Sequence, residues 1–155
     1  MRPQRDEYFM SLAYLAAERS TCTRRKVGAV IVKDNRVIAT GYNGVPSGMP
    51  HCDRMGCLRE DLGVPSGERH ELCLGIHAEQ NALLQAARFG IAVDGSTMYI
   101  TTRPCSVCAR MIANSGIKRV VYSEYYPDEL SDFILRMCNI KVDVLEMKDH
   151  EGSDG

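Results

Sequence analysis

Apolar residues recur three and four apart through EYFMSLAYLAAERS, residues 7–20, a period that predicts a first amphipathic helix. KVGAVIVKDNRVIATGYN, residues 26–43, instead reads as two strand-like runs, with Asp34-Asn35 as the hairpin turn between them. Residues 44–74 hold no sustained period and are rich in Gly, Pro, Cys and charge. They read as a long insertion, and a loop of that length in a compact domain needs a function or a metal to order it. From His77 the pattern becomes regular. A helical run is followed by a strand (STMYITT), a helix, a strand (IKRVVYS), a helix (PDELSDFILRMC) and a strand (IKVDVLEM). Strands joined through helices run parallel, so the order predicts an α/β domain whose later strands are parallel. KDHEGSDG, residues 148–155, is polar and reads as a frayed tail. One domain over residues 1–155 accounts for the whole pattern.

Composition narrows the partners more than the fold. A chain of 155 residues, 45% apolar and 25% charged, is large enough for one core and has ordinary globular proportions. Its net charge of −1 gives no general attraction for a polyanion, so a nucleic-acid partner is not expected. No apolar run reaches membrane-spanning length, and MRPQRDEYFM lacks the apolar core of a signal peptide; the expected location is cytoplasmic. Seven cysteines are many for such a chain, and an odd number cannot all pair with one another. In a reducing compartment they point to metal ligation or catalysis rather than disulfides.

Two helix mouths carry the candidate chemistry. In GIHAEQNALLQAARFG, residues 75–90, His77 stands two places before Glu79 at the start of a helical run. In TTRPCSVCARMIANSG, residues 101–116, Pro104 introduces Cys105 and Cys108 at the start of the next. Thiolates at this spacing on a first helical turn can face one ion, and the positive end of the helix dipole favours their deprotonation. His77 would complete three ligands of types that suit zinc and leave an open position, the mark of a catalytic rather than a structural site. Glu79 is then placed to move protons without ligating. Either motif alone recurs too readily to carry this reading, since a lone Cys-x-x-Cys also suits a redox pair or half a zinc ribbon.

Together, His-x-Glu and Pro-Cys-x-x-Cys form the signature of zinc-dependent nucleobase deaminases. HAEQNALL and TTRPCSVCARMIANSGIKRVVY resemble the cytidine deaminase superfamily. With KVGAVIVKDNRVIATGYNG they closely resemble its deoxycytidylate (dCMP) deaminase family, over roughly residues 7–146. The resemblance implies a three-layer α/β/α sandwich with a mixed five-stranded sheet. It implies a catalytic zinc on His77, Cys105 and Cys108, with Glu79 as the proton shuttle. The implied reaction is hydrolysis at C4 of the cytosine ring, converting dCMP to dUMP and ammonia and so supplying dUMP for thymidylate synthesis. Backbone amides near Ala78 and in the Cys105–Cys108 turn are implied contacts of the base.

Zinc alone does not choose a substrate. ATGYNGVPSG places Asn43 where the family sets an asparagine against the nucleoside, although Asn-Gly is also a strong turn signal. Arg24, before the first strand, is the preferred contact for the 5′-phosphate, while Arg25 and Lys26 read equally as a solvated basic turn. Tyr126 resembles a residue that closes over the nucleotide, with Tyr122 the weaker alternative. The resemblance further implies a homo-oligomer, with a hexamer the form many relatives take, and regulation by dCTP and dTTP near the GYNG loop. The remaining alternatives are a deaminase of another cytosine or purine nucleotide, and a non-catalytic module stabilised by zinc.

The insertion suggests a second, structural zinc. Cys52 and Cys57, then His70 and Cys73, make a set of four soft or borderline ligands in a segment with few large apolar residues. His51 and Cys22 compete for a position in that set. Reduced thiols in a mobile loop, or a disulfide, are the alternatives.

Overall fold

The computed structural model describes residues 1–65, 68 and 72–147. The expected tail and His70 therefore lie outside the described residues. Helix α1 spans Arg5–Ala17. Strands β1, Gly28–Lys33, and β2, Arg36–Tyr42, form the hairpin. Asp34 and Asn35 both take positive φ, 51° and 61°, the conformation in which a two-residue turn matches strand twist and which Asp and Asn tolerate.

After the insertion come α4 (Ala78–Arg88), β3 (Thr97–Thr102), α5 (Ser106–Ser115), β4 (Arg119–Glu124), α6 (Glu129–Met137) and β5 (Lys141–Val144). Within the insertion, α2 (Cys52–Met55) and α3 (Leu58–Asp61) are single helical turns. Four-residue helices span too little chain to imprint a period, so the sequence pattern did not reveal them.

The five strands order as β2-β1-β3-β4-β5. β1 pairs antiparallel with β2 and β3, while β3–β4 and β4–β5 are parallel, as the strand–helix alternation predicts. Alternate residues divide between two cores. Val30, Val32, Tyr99 and Val121 meet Phe9, Met10 and Ala13 of α1 on one face. Ala29, Ile31, Met98, Ile100 and Val120 meet α4, α5 and α6 through Ala82, Ile112 and Leu135 on the other. The result is the expected α/β/α sandwich with its mixed five-stranded sheet. Each fully buried aliphatic side chain contributes about 1.5–3 kcal/mol, so the two faces together supply the main stabilisation.

An ionic clamp ties the first helix to the sheet. Arg119 donates to both carboxylate oxygens of Asp6, at 3.0 and 2.8 Å, and to Asp143 at 2.8 Å. The Tyr99 hydroxyl also donates to Asp6, at 2.6 Å. Hydrogen bonding from Arg119 holds the Asp6 carboxyl below its ordinary pKa. Among the described residues, no helix is long and apolar enough to cross a membrane.

Candidate active site

Close backbone approach positions α4. A side chain at Gly41 of β2 would collide with the Ala78 carbonyl and the Ala82 backbone, so glycine lets the first turn of α4 lie against the strand. Ala78, Ala82 and Ala86 give that helix a buried face of small residues. The Asn81 side chain donates to the Tyr42 carbonyl at 2.8 Å, and the His77 N–H donates to the Gln80 side chain at 3.0 Å. These contacts fix His77 as the N-cap and Glu79 in the first turn.

The second mouth is held differently. Cys105 is the N-cap of α5, and its sulfur accepts from the Cys108 N–H at 3.5 Å. Asp128 accepts from the Ser106 N–H at 2.8 Å and so caps this helix from 22 residues away. No local sequence signal could have revealed that partner.

His77, Cys105 and Cys108 bring their donor atoms within 4.8 Å of one another. The Nδ1 of His77 lies 3.2 Å from the Cys108 sulfur and 3.6 Å from that of Cys105. Tetrahedral zinc, with bonds of about 2.3 Å to sulfur and 2.0–2.1 Å to nitrogen, sets donor separations of roughly 3.5–3.8 Å. The donor set and its spacing fit zinc. The Cys105 thiol is lowered to about 4, chiefly by hydrogen bonding with the Cys108 side chain and then with His77, while that same bond to Cys105, and then burial, drive the Cys108 thiol upward. The pair thus favours a single thiolate, on Cys105, held by the Cys108 thiol and by His77.

Glu79 is 3% exposed, and burial raises its carboxyl above the ordinary carboxylate range. It lines the same pocket as His77 and Cys105. A buried acid beside three metal donors, open to a cleft, can hold and release protons next to a bound molecule.

Arg24, Asn43, Ala78 and Tyr126, singled out from the sequence, all reach this pocket. Their surroundings differ from one another. The Asn43 side chain accepts from the Val27 N–H at 2.8 Å and donates to the Arg25 carbonyl at 2.7 Å, so its first task is to hold the approach to β1. An amide retains one further donor and acceptor capacity beyond such bonds. Arg24 donates to the Val64 carbonyl and lies 3.6 Å from Glu60, joined to the insertion rather than free. Arg25 lies 5.7 Å over the Tyr126 ring. Tyr122 belongs to the core, with its hydroxyl accepting from Arg103 at 3.1 Å.

Two charged pocket residues escaped the sequence reading. Arg103, immediately before Pro104, pairs with Asp132 at 3.1 Å and donates to the Tyr126 carbonyl at 3.2 Å. Arg59, in α3, is only 7% exposed yet lines the pocket. Its surroundings depend on how the insertion folds back, which no local pattern encodes.

The insertion cysteines converge with Cys22 beside the same pocket. Cys22, Cys52, Cys57 and Cys73 all border the pocket, and burial first, then Cys22, Cys57 and Cys73, raise the Cys52 thiol. Among the described residues, the only group of three donors within 4.8 Å is that of His77, Cys105 and Cys108. His51, the competing ligand, bonds Thr21 through Nδ1 at 3.0 Å.

A profile of the cytidine and deoxycytidylate deaminase zinc-binding region matches residues 3–124. The chain is 47% identical over 142 residues to deoxycytidylate deaminase of Schizosaccharomyces pombe, covering 91% of this chain and 44% of that protein. It is 48% identical over 126 residues to the deoxycytidylate deaminase of Mycobacterium phage D29, covering 78% and 95% of the two chains. The crystal structure of dCMP deaminase from cyanophage S-TIM5 in complex with dCMP and dUMP superposes with a TM-score of 0.79. That match has 34% identity and covers 94% of this chain and 99% of the phage chain. The chain spans less than half the length of its fission-yeast relative.

Proposed function

The chain belongs to the cytidine and deoxycytidylate deaminase family, and on that premise we propose that it hydrolyses dCMP to dUMP and ammonia. One observation carries the reading: a buried acid, Glu79, stands beside three zinc-type donors on the floor of a pocket with arginines in its wall. Zinc held by His77, Cys105 and Cys108 would lower the pKa of a water in its open position, supplying a nucleophile at neutral pH.

The chain's own groups do the rest. Glu79, whose protonated form is favoured by burial, protonates N3 of the cytosine and then the departing amino group. The oxygen of one water becomes O4, the C4–N4 bond breaks, and of the two protons of that water one remains on N3 and the other leaves with ammonia. Backbone amides at Ala78 and around Cys105 hold the base against this floor. Tyr126, with Arg25 stacked over it, closes the nucleotide side, and Asn43 offers its spare amide capacity to the sugar. Arg24 and its neighbours supply positive charge for the 5′-phosphate. Purified protein loaded with zinc should release ammonia from dCMP; no release from any cytosine nucleotide would overturn the reading.

The second zinc belongs with this proposal. Cys52, Cys57 and Cys73, with His70 from outside the described residues, form the proposed ligand set; the Cys22 thiol, close enough to act on Cys52, remains its competitor. Metal analysis of the purified protein should give two zinc ions per chain. We also read the protein as a homo-oligomer, with six chains the leading stoichiometry, controlled by dCTP and dTTP near Gly41–Gly44. Exposed Leu130, Phe133 and Met137 on one side of α6 support a self-contact. Sedimentation of a monomer alone, with and without nucleotide, would remove the assembly.

A further inference from the structure

Of the arginines in the pocket wall, most already have partners. Arg103 is paired with Asp132, Arg25 sits 3.9 Å from Glu124, and Arg24 is held by Val64 and Glu60. Arg59 is different. It is 7% exposed, its Nε is buried without a hydrogen-bond partner, and it makes no ion pair among the described residues. One nitrogen of Arg24, NH1, is likewise buried and unpartnered. Both side chains line the pocket that contains His77 and Glu79.

A buried guanidinium without a counter-charge is destabilising, because desolvation is offset only when an anion accepts its hydrogen bonds. A planar fork of N–H donors matches a phosphate in particular. We propose that Arg59 is the residue that selects a phosphorylated substrate: it completes, with the free nitrogen of Arg24, a receptor for the nucleotide phosphomonoester. The insertion thereby contributes directly to specificity. The proposal rests on the deaminase reading for the identity of the base, and adds the residue that distinguishes nucleotide from nucleoside.

The test uses the zinc-loaded full chain, with dUMP and deoxyuridine as non-reacting probes in calorimetry and dCMP and deoxycytidine in turnover. Arg59→Met keeps the length of the side chain and removes the charge; Arg59→Lys keeps the charge and loses the fork. Arg59→Met should weaken dUMP binding about 10- to 100-fold, the range of a charge-assisted hydrogen bond, and leave deoxyuridine unchanged. The dCMP advantage in kcat/KM should shrink by the same factor, and Arg59→Lys should restore part of it. Equal loss for dUMP and deoxyuridine, or no loss for either, overturns the role of Arg59 while dCMP turnover keeps the deaminase reading intact. Wild-type protein that binds dUMP no better than deoxyuridine overturns it too. Phosphate-dependent dUMP binding that vanishes in Arg59→Met, without deamination of dCMP by the wild type, would break the deaminase reading and leave the assignment of Arg59 standing. Should Arg59→Met fail to fold, Arg59→Lys alone decides: unchanged discrimination between dUMP and deoxyuridine overturns the fork's role.

Discussion

The floor and the wall of the pocket are built by opposite means. The floor is two helix mouths, where His77, Glu79, Cys105 and Cys108 are placed by backbone: N-caps, a first turn and the close approach that Gly41 allows. The wall on the insertion side is two short helical turns and irregular chain, tied in by side chains and by the Gly44–Ile76 bridge. Regular elements bury their polar backbone within themselves, so they fix side chains with few long-range contacts. Irregular chain must borrow that order from ligands, metals or distant residues. The contrast separates the part that should perform chemistry from the part that should choose what undergoes it.

The largest effects should come from the floor. Replacing His77, Cys105 or Cys108 by Ala should remove the catalytic zinc and all measurable turnover together, read by metal analysis and ammonia release. Glu79→Gln should keep both zinc and fold while lowering turnover about 10²–10⁴-fold, the usual weight of a general acid–base group. A variant with half the wild-type rate would show that the proton path runs elsewhere.

Gly41→Ala should follow. The new methyl group meets backbone rather than a yielding side chain, so α4 must shift. Overpacking of this kind costs about 1–3 kcal/mol, read as a lower midpoint in urea, and the displaced mouth should slow turnover as well. A variant as stable and as active as wild type would show that α4 is not positioned by this contact.

Cys57→Ala probes the wall. It should loosen the insertion and lower thermal stability, yet leave one zinc ion on the floor. Loss of both ions would show that floor and wall form one cooperative unit.

The smallest effect lies farthest from the pocket. Asp6 has a lower pKa in the fold than in the unfolded chain, where it lies near 3.9. The stability it contributes is therefore present above that unfolded value and is lost as pH falls through the folded one. Asp6→Asn should flatten the acid limb of the stability profile below about pH 4 while leaving the site's metal content unchanged. An acid limb identical to wild type would show that other carboxylates control acid unfolding.

The sequence was most informative where a local physical rule acts. Asp34-Asn35 announced the hairpin because few residues tolerate two successive positive φ values, and the strand–helix alternation announced the parallel half of the sheet. The floor was legible because its ligands occupy cap and first-turn positions, where spacing in sequence is nearly spacing in space. Asn43 was recognised as part of the site, but its bonds to Val27 and Arg25 could not be read from an Asn-Gly pair.

By itself, then, the sequence determined the hairpin, the alternation of strands and helices, the two helix mouths and the residues on them, since these follow from periodicity and capping within a few residues. Only the tertiary structure decided that Asp128 caps α5, that Arg24 is drawn into the insertion, and that Arg59 stands buried beside the catalytic floor with its Nε unpartnered among the described residues. Each of those depends on chain that returns from 22 or more residues away, and nothing in a local stretch records which charge a distant loop will bring to it.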